Sequence, residues 1–296
     1  MESVLKKNKE KFILLSLDEF AKWLPAHLPA RQVTTIQNHH TYQPDYWSFA
    51  KAKNHFELLR GMENYHTRIN GWQDIGQHLT TFPDGKVAVC RNFETAPACI
   101  KGNNTGGFCL EHVGNFDLGK DQMSEAHRQT IVVVNALLCH HLGLVPSTAT
   151  IIYHHWYDLA TGKRDKIAEQ ASKTANTKTC PGTAFFQGNT VTAARQYFIP
   201  LVQATLDNLL LHKALSDVLA NSAPAISQPA ASAPALVKMV VKARSLYVRP
   251  SPSVAGQAIN ALRKGDIVTC YDVAGKWHRI HPIEQQWVAS KWLEEA

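Results

Sequence analysis

The stretch from Ser222 to Pro234 contains only Ala, Pro and Ser apart from one Ile and one Gln, and it carries no charge. Such a segment buries too little apolar surface to offset the entropy lost on ordering, so it reads as a semi-extended linker. A chain interrupted in this way folds as separate bodies. Residues 1–220 form one expected domain, 221–237 the linker and 238–296 a smaller second domain, and both flanking parts have the ordinary size of domains.

The 296 residues are 45% hydrophobic and carry a formal charge of +7. No apolar run approaches the roughly 20 residues of a membrane span. Met1–Lys11 is basic, but Phe12–Leu17 is too short for a signal core and is followed by Asp18 and Glu19, so no cleavable signal is expected. The positive charge suits an anionic partner such as a bacterial wall. Nucleic acid would be attracted equally, but the basic residues form no long cluster and no nucleic-acid-binding motif is present. Six cysteines (90, 99, 109, 139, 180 and 270) without a Cys-x-x-Cys do not read as a disulfide framework in a chain this long, which points to synthesis in a reducing compartment. Cys99 and Cys109 flank a loop across which they could pair, and their spacing leaves that open.

Local patterns mix strands and helices. Leu17–Trp23 reads as a short amphipathic helix stopped before Pro25. Ser124 is a good N-cap, Ile131, Val134 and Leu138 recur at helical spacing, and Gly143 closes the pattern. Apolar runs on either side of Pro83-Asp84-Gly85 predict a hairpin within Gly71–Arg91, and a further helix is expected over Ala193–Leu219.

Two adjacent histidine pairs, His39-His40 and His154-His155, each end an apolar, strand-like run, and Lys178-Thr179-Cys180-Pro181-Gly182 follows them. Imidazole and thiolate are Zn²⁺ ligands, and a catalytic zinc takes three protein ligands with the fourth position left for water. One histidine of each pair with Cys180 makes such a set. On strands, adjacent side chains point to opposite faces, so one member of each pair can reach a common metal, although alternation does not say which. Each residue taken alone also suits a packing role, as does His140-His141 at the end of the predicted helix. A metal-activated water would need no Ser nucleophile, in keeping with the missing Gly-x-Ser-x-Gly elbow.

The order of four blocks resembles the zinc N-acetylmuramoyl-L-alanine amidases, the family that includes phage T7 lysozyme and the peptidoglycan recognition proteins. Ile36-Gln37-Asn38-His39-His40-Thr41 is similar to the family's first-ligand strand. Gly71-Trp72-Gln73-Asp74-Ile75-Gly76-Gln77-His78 with Phe82-Pro83-Asp84-Gly85 resembles its Gly-Trp-x-Asp-Ile-Gly-x-His strand and hairpin. Glu111-His112-Val113-Gly114-Asn115-Phe116-Asp117 looks like the central strand and its following loop. Ile151–His155 and Lys178–Gly182 resemble the segments of the second and third ligands.

The resemblance implies His39, His154 and Cys180 as zinc ligands, with His40 and His155 as neighbours. It implies Glu111 as general base and Lys178 as the cation that stabilises the oxyanion. A carboxylate in an apolar strand suits a base because desolvation raises its pKa, and a fixed cation beside developing negative charge is a large catalytic term. Two departures stand out. Gln77 replaces a Tyr of the T7 lysozyme relatives and cannot transfer protons, though it retains a hydrogen bond to offer to substrate or water. Asp158–Thr177 is longer than the corresponding loop in many relatives and is expected as a flap beside the cleft.

Residues 238–296 alternate short apolar and polar runs, as in a small antiparallel barrel. Ser245–Ser253, Leu262–Asp266, Gly275–Ile280 and Gln286-Trp287-Val288 resemble the bacterial SH3 repeat, with Tyr247, Tyr271, Trp277 and Trp287 as aromatic groove candidates, at least half of them expected in the core. The expected fold class is α/β, a mixed central sheet flanked by helices with zinc at one end of the strands, plus a small all-β SH3-like barrel. The function implied is a peptidoglycan hydrolase of endolysin or autolysin type, made in the cytoplasm and acting at the cell wall, that cuts between N-acetylmuramic acid and L-alanine while its barrel holds the wall. The competing readings are a non-catalytic peptidoglycan-binding protein, a zinc peptidase acting within the stem peptide, and a cytoplasmic enzyme recycling soluble muropeptides.

Overall fold

The computed structural model describes residues 11–221, 237–254, 257–281 and 285–295, with no account of the side chains of 212–221. Residues 1–10 of the basic start and 222–236 of the expected linker lie outside the described residues. The chain divides into two compact units, Met1–Leu210 and Leu211–Ala296.

The first unit is built on a six-stranded mixed sheet of β1 (Ile13–Leu15), β2 (Thr35–His40), β3 (Leu79–Thr81), β4 (Val87–Val89), β5 (Gly107–His112) and β6 (Ile151–Tyr153), ordered β1-β4-β3-β5-β2-β6. The hairpin β3–β4 and the β1–β4 pair are antiparallel, whereas β3, β5, β2 and β6 run parallel to one another. Parallel neighbours require crossovers; in chain order α1 (Leu17–Trp23) lies between β1 and β2, α2 (Tyr46–Lys51) and α3 (His55–Asn64) between β2 and β3, and α4 (Glu125–Leu142) between β5 and β6.

Each helix starts where the sequence offers a side-chain acceptor. Ser16 caps α1 in a reciprocal box with Glu19, Asp45 caps α2, Asn54 caps α3 and Ser124 caps α4, while Gly143 ends α4 in the left-handed region (φ 68°). Below the sheet, α4 buries Ile131, Val134 and Leu138 and brings Asn135 against Asn38, the two amides exchanging hydrogen bonds at 3.0 Å. His112 Nε2 also meets Asn38 Oδ1 at 3.0 Å, so α4 covers the face of β2 and β5 that carries Asn38 and His112. Alternation then directs Gln37, His39, Cys109 and Glu111 to the opposite face.

After β6 come a short α5 (Val191–Ala193) and the long α6 (Ile199–Asn221), whose residues up to Leu210 belong to this unit; a buried aromatic cluster of Tyr153, Phe185, Phe186 and Phe198 packs there. Among the described residues, no helix is long and apolar enough to cross a membrane.

The second unit is all β. β7 (Val237–Val241), β8 (Ser245–Val248), β9 (Asn260–Arg263), β10 (Ile267–Cys270), β11 (Asp272–Ala274), β12 (Trp277–Arg279), β13 (Trp287–Ala289) and β14 (Leu293–Glu295) pair antiparallel as β10-β7-β14, β11-β12-β13 and β8-β9. Val241, Leu246, Val248, Val268, Cys270, Val288 and Leu293 form its core. Of the four aromatic residues expected to divide between core and groove, Trp287 is buried, Trp277 is half-buried, and Tyr247 and Tyr271 are exposed.

Candidate functional site

At the C-terminal ends of the parallel strands lies a cavity of about 960 Å³ whose walls include His39, His40, His66, Cys99, Glu111, His154, Lys178 and Cys180. Strand β2 delivers His39 and, in register beside it, β5 delivers Glu111. The chain leaves β6 at Tyr153 and turns through a 3₁₀ segment, His154–Trp156, so His154 and His155 lie on a turn and not on a strand as expected. That turn separates the two rings. His154 faces His39, ring centres 4.8 Å apart, whereas His155 points to the loop ahead, where Nδ1 lies 2.6 Å from the Lys178 carbonyl and Nε2 2.8 Å from that of Ala171.

The loop carrying Cys180 is fixed from several sides. The His155 amide donates to the Cys180 carbonyl (2.7 Å), Asn189 Nδ2 donates to the Thr179 carbonyl (2.8 Å), and Thr179 Oγ1 donates to Asp117 Oδ2 (2.9 Å). Gly182 has φ 119°, and a Cβ there would run into the Phe116 carbonyl, so only glycine fits this close approach. Held this way, Cys180 Sγ lies 3.5 Å from His39 Nδ1, and one donor atom from each of His39, His154 and Cys180 falls within 4.8 Å of the other two. His40 takes no part in this group; its Nδ1 accepts from the Phe116 amide at 3.1 Å.

Electrostatics at the site follow from depth. Burial holds the His39 imidazole well below its usual range, with the neighbouring His154 adding to the effect, and brings His154 down to about 3, so both rings are neutral at pH 7. Burial, with the nearby Glu111 charge adding to it, pushes the Cys180 thiol up, which disfavours a free thiolate; a cation held between the imidazoles would offset that cost. The Glu111 carboxyl is raised to about 7 by burial, opposed by the Lys178 charge. Lys178 itself is exposed and lines the cavity. Two imidazoles and one thiol converging on one point fit a Zn²⁺ ion, and His39, His154 and Cys180 are the residues able to hold it.

A family model described as N-acetylmuramoyl-L-alanine amidase matches residues 29–183, more than half of the chain. This chain belongs to the N-acetylmuramoyl-L-alanine amidase family. A human N-acetylmuramoyl-L-alanine amidase is 34% identical to this family member over 80 residues, which is 26% of this chain and 13% of the human protein. The chain thus matches about an eighth (13%) of the length of that curated relative, and of its pig counterpart, which is 32% identical over 82 residues. Among solved structures, Drosophila peptidoglycan recognition protein SA is similar at 19% identity and a TM-score of 0.42, covering 58% of this chain and 83% of its own. The amidase LysC from Clostridium intestinale is similar at 17% identity and a TM-score of 0.38, covering 60% and 87%.

Other expectations for this amidase-family chain change. Gln77 is fully buried, with Nε2 donating to Thr80 Oγ1 (3.0 Å), and does not line the cavity; the hairpin packs it inward against Met62. None of the residues of Asp158–Thr177 lines this cavity. The segment is tied instead to the loop before β5, where Lys101 Nζ donates to the Ala160 carbonyl (2.6 Å) and Asn103 Nδ2 to that of Gly162 (2.8 Å). Cys99 and Cys109 form a disulfide, the pairing across their loop that the spacing left open.

Neither His66 nor Cys99 was placed at the site from sequence. His66 sits on a π-helical turn (Tyr65–Ile69), where its Nδ1 accepts from the Gly76 amide at 3.1 Å and its ring lies against Trp72, centres 4.8 Å apart. The Gly-Trp block signalled Trp72 and Gly76, but nothing in local periodicity ties them to a histidine on the preceding helix. Cys99 reaches the cavity only because its loop folds back under Gly76, the Ala98 amide donating to the Gly76 carbonyl at 3.1 Å.

Proposed function

We propose that this protein is a zinc-dependent peptidoglycan amidase that hydrolyses the bond between N-acetylmuramic acid and L-alanine of the stem peptide. The observation that carries the reading is the convergence of His39, His154 and Cys180 in one cavity wall, with Glu111 and Lys178 in the same wall.

His39, His154 and Cys180 would hold one Zn²⁺, which when bound supplies Lewis acidity and lowers the pKa of a water. Glu111 takes a proton from the attacking water and returns it to the leaving amine of L-alanine; a carboxyl whose pKa sits about 7 works in both directions near neutrality. Lys178, exposed in the wall, places its ammonium where negative charge develops on the carbonyl oxygen. The cavity's open side admits the glycan-linked peptide, and the neutral rings of His39 and His154 bring no positive charge that would repel a cation.

For the second unit we infer an SH3-like module that binds the bacterial wall, with exposed Tyr247 and Tyr271 as aromatic contacts. Tethering of that kind raises the local concentration of an enzyme on an insoluble substrate. Synthesis in the cytoplasm followed by release to the wall, in the manner of an endolysin, completes the reading.

The test is digestion of purified muropeptides, with products identified by mass spectrometry, for wild type, Cys180→Ala and Glu111→Ala after zinc repletion. Free stem peptides beginning at L-alanine, lost in both variants, support the amidase. Cuts within the stem support a peptidase. Intact substrate that co-sediments with wild-type protein supports a recognition protein and sinks the catalytic reading.

A further inference from the structure

The Cys99–Cys109 disulfide lies under the same histidine that the proposed zinc site uses. One imidazole nitrogen of His39 and the sulfurs of Cys99 and Cys109 all fall within 4.8 Å of one another, a second grouping of the same kind as His39, His154 and Cys180. The two groups share only His39. Its Nδ1 faces Cys180, and its Nε2 is buried without a hydrogen-bond partner among the described residues. Cys109 is fully buried on β5, two residues before Glu111 on the same strand face, while Cys99 is half-buried and lines the cavity.

We propose that the disulfide is a redox-controlled precursor of a second soft-metal site, made of the Cys99 and Cys109 thiolates and His39, which competes with the primary site for His39. The competing role rests on the zinc reading given above; the metal-binding role does not.

Reduction balances with a dithiol. Its thiolate attacks the cavity-facing Cys99 sulfur and expels Cys109, which takes up a proton; the second thiol of the reductant then closes on the first and releases Cys99. Two electrons and two protons pass from the dithiol to the protein, and the reductant leaves as its own disulfide. Metal binding then displaces the two thiol protons.

Opening the bond need not scatter the thiols, because the loop is held independently. Asn104 Oδ1 accepts from the amides of Cys99 (3.0 Å) and Ile100 (3.1 Å), and Gln37 Nε2 donates to the Asn103 carbonyl (2.8 Å). Two thiolates and an imidazole select Zn²⁺, Cd²⁺ or Co²⁺ over hard cations. A neutral imidazole has one lone pair, so His39 serves one metal at a time. Reduction therefore draws a ligand away from the primary group, and oxidation restores it.

Full-length protein is compared oxidised and after treatment with dithiothreitol that is removed anaerobically, with thiol titration to confirm two additional thiols. Co²⁺ is the probe, and the thiolate-to-cobalt absorption per bound ion is the readout. Oxidised wild type is expected to show a one-thiolate band from Cys180 that rises about twofold on reduction. Cys180→Ser is expected to show no band when oxidised and a strong one when reduced, and Cys99→Ser no change on reduction. A reduced Cys180→Ser protein without a thiolate band, or a disulfide that resists the dithiol in the native protein, overturns the proposal. A bandless oxidised wild type together with a banded reduced Cys180→Ser overturns the primary zinc site and leaves the second one standing.

Discussion

His39 and Glu111 are Cα partners across the parallel strands β2 and β5, so the proposed metal ligand and the proposed base stand side by side on one sheet face. No flexible loop separates them. Each is placed by a ladder of main-chain hydrogen bonds, and the Asn38–Asn135–His112 cluster pins the same two strands from behind. Rigid secondary structure is what keeps catalytic groups in register with one another.

Glu111 carries a stability signature that is independent of activity. Its carboxyl is raised from 4.5 to about 7 by burial, so the native state binds more protons than the unfolded chain between those values. The contribution is present in full below pH 4.5 and is lost as pH rises through 7. Relative to Glu111→Gln, metal-stripped wild type should therefore lose up to about 3 kcal/mol between pH 4.5 and 8, tempered by water at the cavity edge, in urea unfolding across that range. The same substitution should lower turnover by about 10²- to 10⁴-fold.

Lys178 should act on turnover more than on binding. Replacing it with Ala removes the cation facing the cavity and is expected to lower kcat about 10²- to 10³-fold with a small change in KM, while Lys178→Arg restores part of the loss. Steady-state kinetics on muropeptides separate the two parameters. A change confined to KM would assign the residue to substrate binding.

Asn135→Ala tests the support behind the ligands. It strips Asn38 of its reciprocal amide partner inside a fully buried cluster that includes His112, each group within 3.0 Å of the next. A cost of about 2–4 kcal/mol in chemical denaturation is expected, from a lost hydrogen-bond pair and the polar atoms left unsatisfied.

His127 should report acid unfolding. Burial brings its imidazole from 6.5 to about 3, with Nε2 2.7 Å from Thr81 Oγ1 and Nδ1 2.9 Å from Tyr46 Oη. The unfolded chain binds the proton first, so stability is intact above pH 6.5 and falls as pH drops toward 3. His127→Gln should reduce the slope of unfolding free energy against pH in that window by about 1.4 kcal/mol per pH unit, whatever it does to stability at pH 7.

The local elements were legible in the chain because their causes are local. Ser124 starts and Gly143 stops α4 through their own backbone neighbours, and Pro83-Asp84-Gly85 turns the β3–β4 hairpin by itself. Residue types able to hold a metal, and their order, were legible too, since imidazole and thiol chemistry does not depend on the fold. The 3₁₀ turn at His154–Trp156 was not, because an apolar run followed by two histidines is equally compatible with a longer strand. Gln77 was misplaced toward substrate because a block of residues does not say which face its hairpin buries.

By itself the sequence carried the two ends of α4 at Ser124 and Gly143, the β3–β4 hairpin and the order of the residue types at His39, Glu111, His154, Lys178 and Cys180, all properties of residue type and near neighbours. Only the tertiary structure decided that β2, β5 and the 178–182 loop meet at one cavity, that desolvation raises Glu111 to about 7, and that Cys99 closes on Cys109 beneath His39. Those outcomes depend on parallel strand pairing between distant segments, and on the water excluded when they pack, neither of which is encoded in any local stretch of chain.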